Sequence, residues 1–289
     1  MFKSPYIQDL QWLKGNLHTH TENSPCGHYS LDKVIELYTS FKTKYDFLAI
    51  TDHYNLTKLK EHQELILFSG VEYKRKAYQT LGINVKEYED DKENEENHQA
   101  LFNSVVNQGG INIICHPHLN KEDYWPFEKL ILLEGYLGIE IYNNNVRLDN
   151  HGRAVATDLW DKLLTAGKKV YGFANDDMHL FTRVGGGFNM VGAKEKSKAS
   201  ILESLKNGSF YCSSGVYLKE ISLECNTIKI QLEHDIPAEF KLIGEQGRVI
   251  QVENGTEVSF KAETGDKYIR IEIKREDGAM AWTQPFFNE

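Results

Sequence analysis

Over roughly its first 215 positions the chain alternates short apolar or β-branched runs with amphipathic segments at helical spacing, the pattern of βα units. Strand-like runs fall at 13–17, 47–50, 65–70, 80–85, 111–115, 137–141 and 169–173. Most are nearly continuous in apolar residues, as strands covered on both faces should be. Ser30 stands as an N-cap before Leu31, Val34, Ile35, Tyr38 and Phe41, which share one helical face. A second helix carries Val155, Leu159, Trp160, Leu163 and Leu164 and stops at Gly167, a residue suited to a left-handed cap. A third runs from 197 to 208 through Ile201, Leu202 and Leu205.

Beyond Gly215 the texture changes. Alternation at 221–223, 228–232, 240–242 and 268–273, punctuated by Asn226, Gly244, Gly247, Asn254-Gly255, Gly265 and Asp277-Gly278, predicts short antiparallel strands. The expected organisation is an α/β domain over 1–215 and a small antiparallel β-sandwich-like domain over 216–289. The acidic stretch 87–96 reads as a solvated loop or the outer end of a helix.

Composition narrows the function classes. A chain of 289 residues, 40% hydrophobic and 26% charged, can bury one large core or two smaller ones. Its net charge of −9 argues against a sequence-independent grip on nucleic acid, which works by neutralising phosphates. Apolar runs are too short to span a bilayer, and the first residues lack a signal-peptide pattern, so a soluble, cytoplasmic protein is expected. Cys26, Cys115, Cys212 and Cys225 are scattered, which indicates neither a disulfide framework nor a zinc finger. What stands out is the set of 11 histidines and where they fall.

His18 and His20 follow the first strand-like run, Asp52 and His53 the second, Glu72 the third, His116 the 111–115 run, and Asp177 and His179 the 169–173 run. In barrels of parallel strands the carboxyl ends share one mouth, so such residues converge there. Imidazoles and carboxylates together are a ligand set for zinc, manganese or iron, and a glutamate among histidines can bridge two ions. Singly, each has a plainer reading: His-x-His shares a face by period two, Asp52-His53 is a turn, Glu72 pairs with Arg75, and His116 before Pro117 is a loop residue. Five coincidences of residue type and strand-end position favour the metal site.

These residues also carry a resemblance. Asn16-Leu-His18-Thr-His20-Thr, Ile50-Thr-Asp52-His53, Gly70-Val-Glu72, Cys115-His116-Pro117 and Asp177-Met-His179 resemble, in order and spacing, the motifs of the polymerase-and-histidinol-phosphatase (PHP) superfamily over about the first 215 residues. Residues 207–215 and the tail 281–286 are similar to stand-alone members described as metallohydrolases related to carbamate-cleaving enzymes. The resemblance implies a distorted (β/α)7, TIM-like barrel with two or three divalent ions at the carboxyl ends of its strands. His18, His20, Glu72 and Asp177 would hold one ion, Glu72 and His116 a second, and His53 and His179 would belong to a third.

Two positions depart from that pattern. Gln79 stands where a histidine ligand is usual, with His98 as a weaker substitute, and Ser24-Pro-Cys26-Gly-His28 replaces the usual loop after His20. Either Cys26 or His28 would complete the third site; His28 is preferred, because a neutral imidazole binds at neutral pH with less help than a thiol.

Metal ions lower the pKa of a bound water from about 15.7 towards about 7, giving a hydroxide to attack phosphorus or a carbonyl carbon. In that scheme Asp52 orients His53 or shuttles a proton, and His118 is the acid for the leaving group. Arg183, then Arg75, would hold a substrate phosphate. The expected function is a metal-dependent phosphoesterase acting on a small phosphorylated molecule, with no membrane partner and with nucleic acid disfavoured. The alternatives are a hydrolase of a carbamate, ester or amide, and a non-catalytic metal-binding module.

Overall fold

The computed structural model describes every residue except 8–10, 41, 76, 89–96 and 121–123, and the side chain of Arg75 is also outside it. The expectations for Phe41, Arg75 and most of the acidic stretch therefore lie outside the described residues.

In the α/β part the elements run β1 (Phe2–Lys3), β2 (Gln11–Asn16), α1 (Leu31–Thr39), β3 (Phe47–Ile50), β4 (Ile66–Arg75), β5 (Tyr78–Ile83), α2 (His98–Asn107), β6 (Ile111–Ile114), α3 (Phe127–Leu130), β7 (Tyr136–Asn143), α4 (Asn144–Asp149), α5 (Thr157–Thr165), β8 (Tyr171–Asn175), β9 (Phe188–Ala193), α6 (Lys198–Lys206) and β10 (Phe210–Ser213). Then follow β11 (Leu218–Glu224), β12 (Thr227–Leu232), β13 (Ala238–Ile243), β14 (Val249–Gly255), β15 (Glu257–Lys261), β16 (Tyr268–Arg275), β17 (Met280–Thr283) and β18 (Phe286–Asn288). The anticipated caps are present: Ser30 accepts from Lys33 N, and Gly167 takes φ +92° one residue past the α5 C-cap.

β2, β3 and β4 pair in parallel, as do β6, β7 and β8. β5 runs antiparallel to both β4 and β6, so the repeat of seven parallel strands is broken there. Only residues 76 and 77 separate β4 from β5, and a parallel crossover needs a dozen residues or more. β9 pairs antiparallel with β2 on the other side. Between β8 and β9 the described contacts include the Asn189 side chain, whose Nδ2 donates to Ala174 O at 2.9 Å while its Oδ1 accepts from Ala174 N at 3.1 Å. The layer is thus a mixed α/β sheet bearing helices, with β9 and β10 as strands the sequence pattern did not disclose.

The later strands are antiparallel, as their alternation predicts. β11, β12 and β15 form a separate three-stranded sheet, whose Ile228, Ile230 and Phe260 share a core with Phe240, Ile271 and Ile273 of β13 and β16. The main sheet continues across position 215, because β10 pairs with β17, Cys212 opposite Trp282, and β1 pairs with β18. A buried ion pair adds to that continuity. Arg270 on β16 donates from Nε to Asp161 Oδ1 at 2.8 Å and from Nη2 to Asp161 Oδ2 at 2.7 Å, and Tyr268 Oη donates to the same carboxylate at 2.9 Å. No helix among the described residues is long and apolar enough to cross a membrane.

Removing one partner of a buried pair strands the other's charge, so Asp161→Ala should lower stability by about 3–5 kcal/mol. Urea denaturation followed by circular dichroism measures this; a loss below about 1 kcal/mol would show that the pair is dispensable.

Candidate metal centre

The chain brings its ligating side chains together from the ends of several strands. After β2, Met178 N donates to His18 O at 3.3 Å and His20 N donates to Met178 O at 3.0 Å, which joins this segment to the one after β8. His53 and Glu72 are paired as an isolated parallel bridge. Glu72 therefore lies inside β4, which runs on to Arg75, rather than past the end of its strand. His116 and Asp177 sit at φ +24° and +51°, left-handed values that cost a non-glycine residue conformational energy.

Glu72 is the hub. Its Oε2 lies 3.1 Å from His18 Nε2 and 3.2 Å from both His20 Nε2 and His53 Nε2, and its Oε1 lies 3.2 Å from His116 Nε2. Asp177 Oδ1 stands 3.3 Å from His18 Nε2 and 3.4 Å from His20 Nε2. The His20 ring is stacked between those of His53 and His179, at centroid distances of 4.8 and 4.4 Å.

Three of these rings have their outer nitrogen engaged. His18 Nδ1 donates to Glu140 Oε1 at 2.8 Å, His20 Nδ1 to Ser24 Oγ at 3.0 Å and His179 Nδ1 to Asp177 O at 2.9 Å. Such bonds orient each ring so that its opposite nitrogen faces the cluster and can ligate a cation once it has given up its proton. His18 Nε2 and His20 Nε2 are buried without a hydrogen-bond partner, a costly state that a divalent cation would relieve. Donor atoms fall into three overlapping groups compact enough to hold an ion: His18, His20 and Asp177; His18, Glu72, Cys115 and His116; His20, Cys26, His53 and His179. The residues present fit a metal.

The electrostatics agree. Burial pushes the Glu72, Glu140 and Asp177 carboxyls upward, but neighbouring histidines outweigh it and hold each below the usual carboxylate range. Burial pulls His18 down, yet Asp177, Glu140 and Glu72 raise it well above an ordinary imidazole. His20 and His116 are also raised, against burial, His20 mainly by the adjacent Asp177 and Glu72 carboxylates and His116 mainly by Glu72. His53 and His179 are lowered, chiefly by burial. Without a cation the carboxylates thus keep protons on the central imidazoles.

Of the residues singled out in the sequence, His18, His20, His53, Glu72, His116, Asp177 and His179 meet in this cluster. His28 does not: it is exposed, and Cys26 takes the place expected for it. The cause is a tight return of the loop, in which Gly27 N donates to Ser24 O and a Cβ on residue 27 would fall 1.7 Å from Thr21 O. That turn folds Cys26 inward and carries His28 out.

Asp52 does not orient the His53 ring. It accepts from Thr21 N at 2.6 Å, Thr21 Oγ1 at 2.7 Å, Ser24 Oγ at 2.9 Å and Thr57 Oγ1, and so steadies His20 through Ser24. His118 lies in a different constellation, its Nε2 accepting from Arg153 Nη2 at 2.8 Å and standing 3.2 Å from Asp158 Oδ1. Arg183 is tied to Asp149 and, through Nε, to Asn145 Oδ1 at 2.8 Å, rather than held ready for a phosphate. Gln79 accepts from Tyr124 Oη at 3.0 Å and takes no part in the ligand groups. His98 begins α2 and packs edge-on against Tyr78 and Trp125.

Sequence reasoning missed Glu140 and Cys115. Glu140 is buried and also accepts from His116 N at 2.8 Å, Asn143 Nδ2 at 2.9 Å and Asn175 Nδ2 at 2.9 Å. A lone acid inside the apolar run Gly-Ile-Glu-Ile-Tyr was the available signal.

No family model matches the chain, and no curated protein matches it. Among solved structures, it resembles a two-domain protein containing a predicted PHP-like metal-dependent phosphoesterase from Bacteroides vulgatus ATCC 8482, at 15% identity and TM-score 0.56 over 98% of each chain. It is also aligned with Endonuclease Q bound to duplex DNA carrying an abasic lesion, at 15% identity and TM-score 0.49, covering 68% of this chain and 57% of that one. A lesion-specific endonuclease from Pyrococcus furiosus gives 15% identity and TM-score 0.45, covering 68% and 56%. The first likeness establishes the fold, which agrees with the PHP resemblance carried by the motifs. The two endonucleases add nothing for or against nucleic acid as a partner of this chain.

Two outcomes follow. Glu140→Gln should weaken metal binding by about 10–100-fold, as loss of a hydrogen-bonding partner to a ligand does, with the fold retained; unchanged affinity in equilibrium dialysis would remove Glu140 from that role. Zinc added to metal-free protein near neutral pH in weak buffer should release protons, since His18, His20 and His116 must give theirs up. A pH-indicator titration with no proton release would contradict it.

Proposed function

We propose that the chain is a PHP-superfamily metal-dependent hydrolase that cleaves a small phosphate ester using two or three divalent ions of zinc, manganese or iron. The observation that carries this reading is the Glu72 carboxylate set among four imidazole nitrogens, with the Nε2 atoms of His18 and His20 left without a hydrogen bond. His18, His20 and Asp177 would hold one ion, Glu72, Cys115 and His116 with His18 a second, and Cys26, His53 and His179 with His20 a third. When bound, such ions polarise a phosphoryl oxygen and supply hydroxide at neutral pH.

The protein's own part is positioning. Glu140 fixes His18 and the backbone of His116, while Asp52 fixes Ser24 and through it His20. Asn143 Nδ2 bridges Glu140 and Asp177, donating to the latter at 3.2 Å. His118, with its Nε2 engaged by Arg153 and Asp158, is not assigned as the leaving-group acid. A small substrate is favoured over a polyanion by the net charge of −9, and a reducing compartment such as the cytoplasm by four free cysteines, two of them in the ligand groups.

The test is a panel of an aryl phosphate, an aryl phosphodiester and an aryl carbamate, each with added manganese or zinc. The phosphate is expected to turn over, and carbamate turnover without phosphate cleavage would move the assignment to a carbamate hydrolase. Glu72→Gln should lower metal content and abolish turnover together. Elemental analysis should show Cys26→Ser losing part of its metal and His28→Ala losing none; the reverse result would restore His28 as a ligand.

A further inference from the structure

Away from the metal centre, a cleft of about 770 Å³ runs between α5 and the outward face of β13, β14 and β16. That volume falls in the range of small-molecule pockets, roughly 300–1,000 Å³. None of the residues grouped as metal ligands lines it. Its walls are apolar at Phe127, Ile243 and Val249, and its formal charges balance: Asp158, Asp161 and Glu272 against Lys162, Lys241 and Arg270.

The hydrogen-bond account does not balance. The acceptors are largely spent: both oxygens of Asp161 are taken by Arg270 and Tyr268, Asp158 binds Arg153, and Glu272 Oε2 accepts from Trp282 Nε1 at 3.2 Å. Donors remain. Arg270 is buried, yet its Nη1 makes no hydrogen bond, with Glu272 Oε2 at 3.6 Å, beyond hydrogen-bond length. Lys162 is exposed at the cleft and forms no ion pair within the described residues. Lys241 is neutralised by Glu239 Oε1 at 2.9 Å. Unspent donors together with apolar walls define the complement: a negatively charged acceptor on an apolar body.

We propose that this cleft is a binding site for a small organic carboxylate, its oxygens toward Arg270 and Lys162 and its apolar body along Ile243 and Val249. The site is separate from the metal centre. Its occupancy does not depend on the hydrolase assignment.

The probe is 4-fluorophenylacetate, titrated into the metal-loaded full chain and followed by fluorine NMR, with 4-fluorophenylacetamide as the neutral counterpart. Saturable binding of the acid is expected, with the amide weaker by about tenfold, the worth of a charge-assisted contact. Lys162→Glu should weaken the acid by at least about tenfold. Val249→Trp, which fills the cleft from an exposed position, should do the same, with circular dichroism and metal content unchanged in both. Arg270 is left intact because its pair with Asp161 holds the fold. No saturable binding at millimolar acid, equal binding of acid and amide, or undiminished binding in both variants would overturn the proposal, the last by placing the acid elsewhere, as on the metals.

Discussion

A carboxylate buried beside other carboxylates must find positive charge within a few ångströms or lose its ionisation, and Glu72, Asp177 and Glu140 are buried within one cluster. Each is held ionised by imidazoles that the same burial would otherwise neutralise. This mutual requirement organises the surrounding structure. It explains why His116 and Asp177 tolerate left-handed backbone, and why Asn143 and Asn175 spend their amide groups on Glu140. A divalent cation satisfies the same requirement better than protons do, since it neutralises the acids while leaving every imidazole in the ligating form.

How much of this the sequence disclosed depends on whether the signal was local. Residues that follow or lie in a strand and share a mouth, such as His18, His20, His53 and His179, could be read from spacing, because strand direction alone makes them converge. The reversal of β5 was hidden because the apolar runs at 65–70 and 80–85 mark only parts of the two strands; β4 runs on to Arg75 and β5 begins at Tyr78, which leaves no room for a crossover. Glu140 stood out only as a lone acid in an apolar strand, with no spacing partner to give it a role; that role exists only once β2, β7 and β8 bring His18, Asn143 and Asn175 around it. The choice between His28 and Cys26 turned on the geometry at Gly27, which ligand chemistry could not supply. Strand β9 was hidden behind Gly185-Gly-Gly187 and the polar Asn189, whose side chain reaches toward β8.

The later antiparallel strands share hydrogen bonds with the α/β layer through β10 and β17, and share charge with it through Asp161 and Arg270. A chemical boundary in sequence texture is therefore not a mechanical one. A paired guanidinium and carboxylate ties α5 to β16, and the cleft along α5 is lined by both.

The clamp at Asp52 has a kinetic meaning. Four donors from Thr21, Ser24 and Thr57 converge on one buried carboxylate, so the loop that presents His20 cannot swing out alone without stranding that charge. Its amide protons should then exchange with solvent only through openings nearly as costly as unfolding the sheet beneath, rather than through local fraying. A ligand reaching the metals would meet a wall that is already set, and the pace of entry and exit would belong to other segments of the rim.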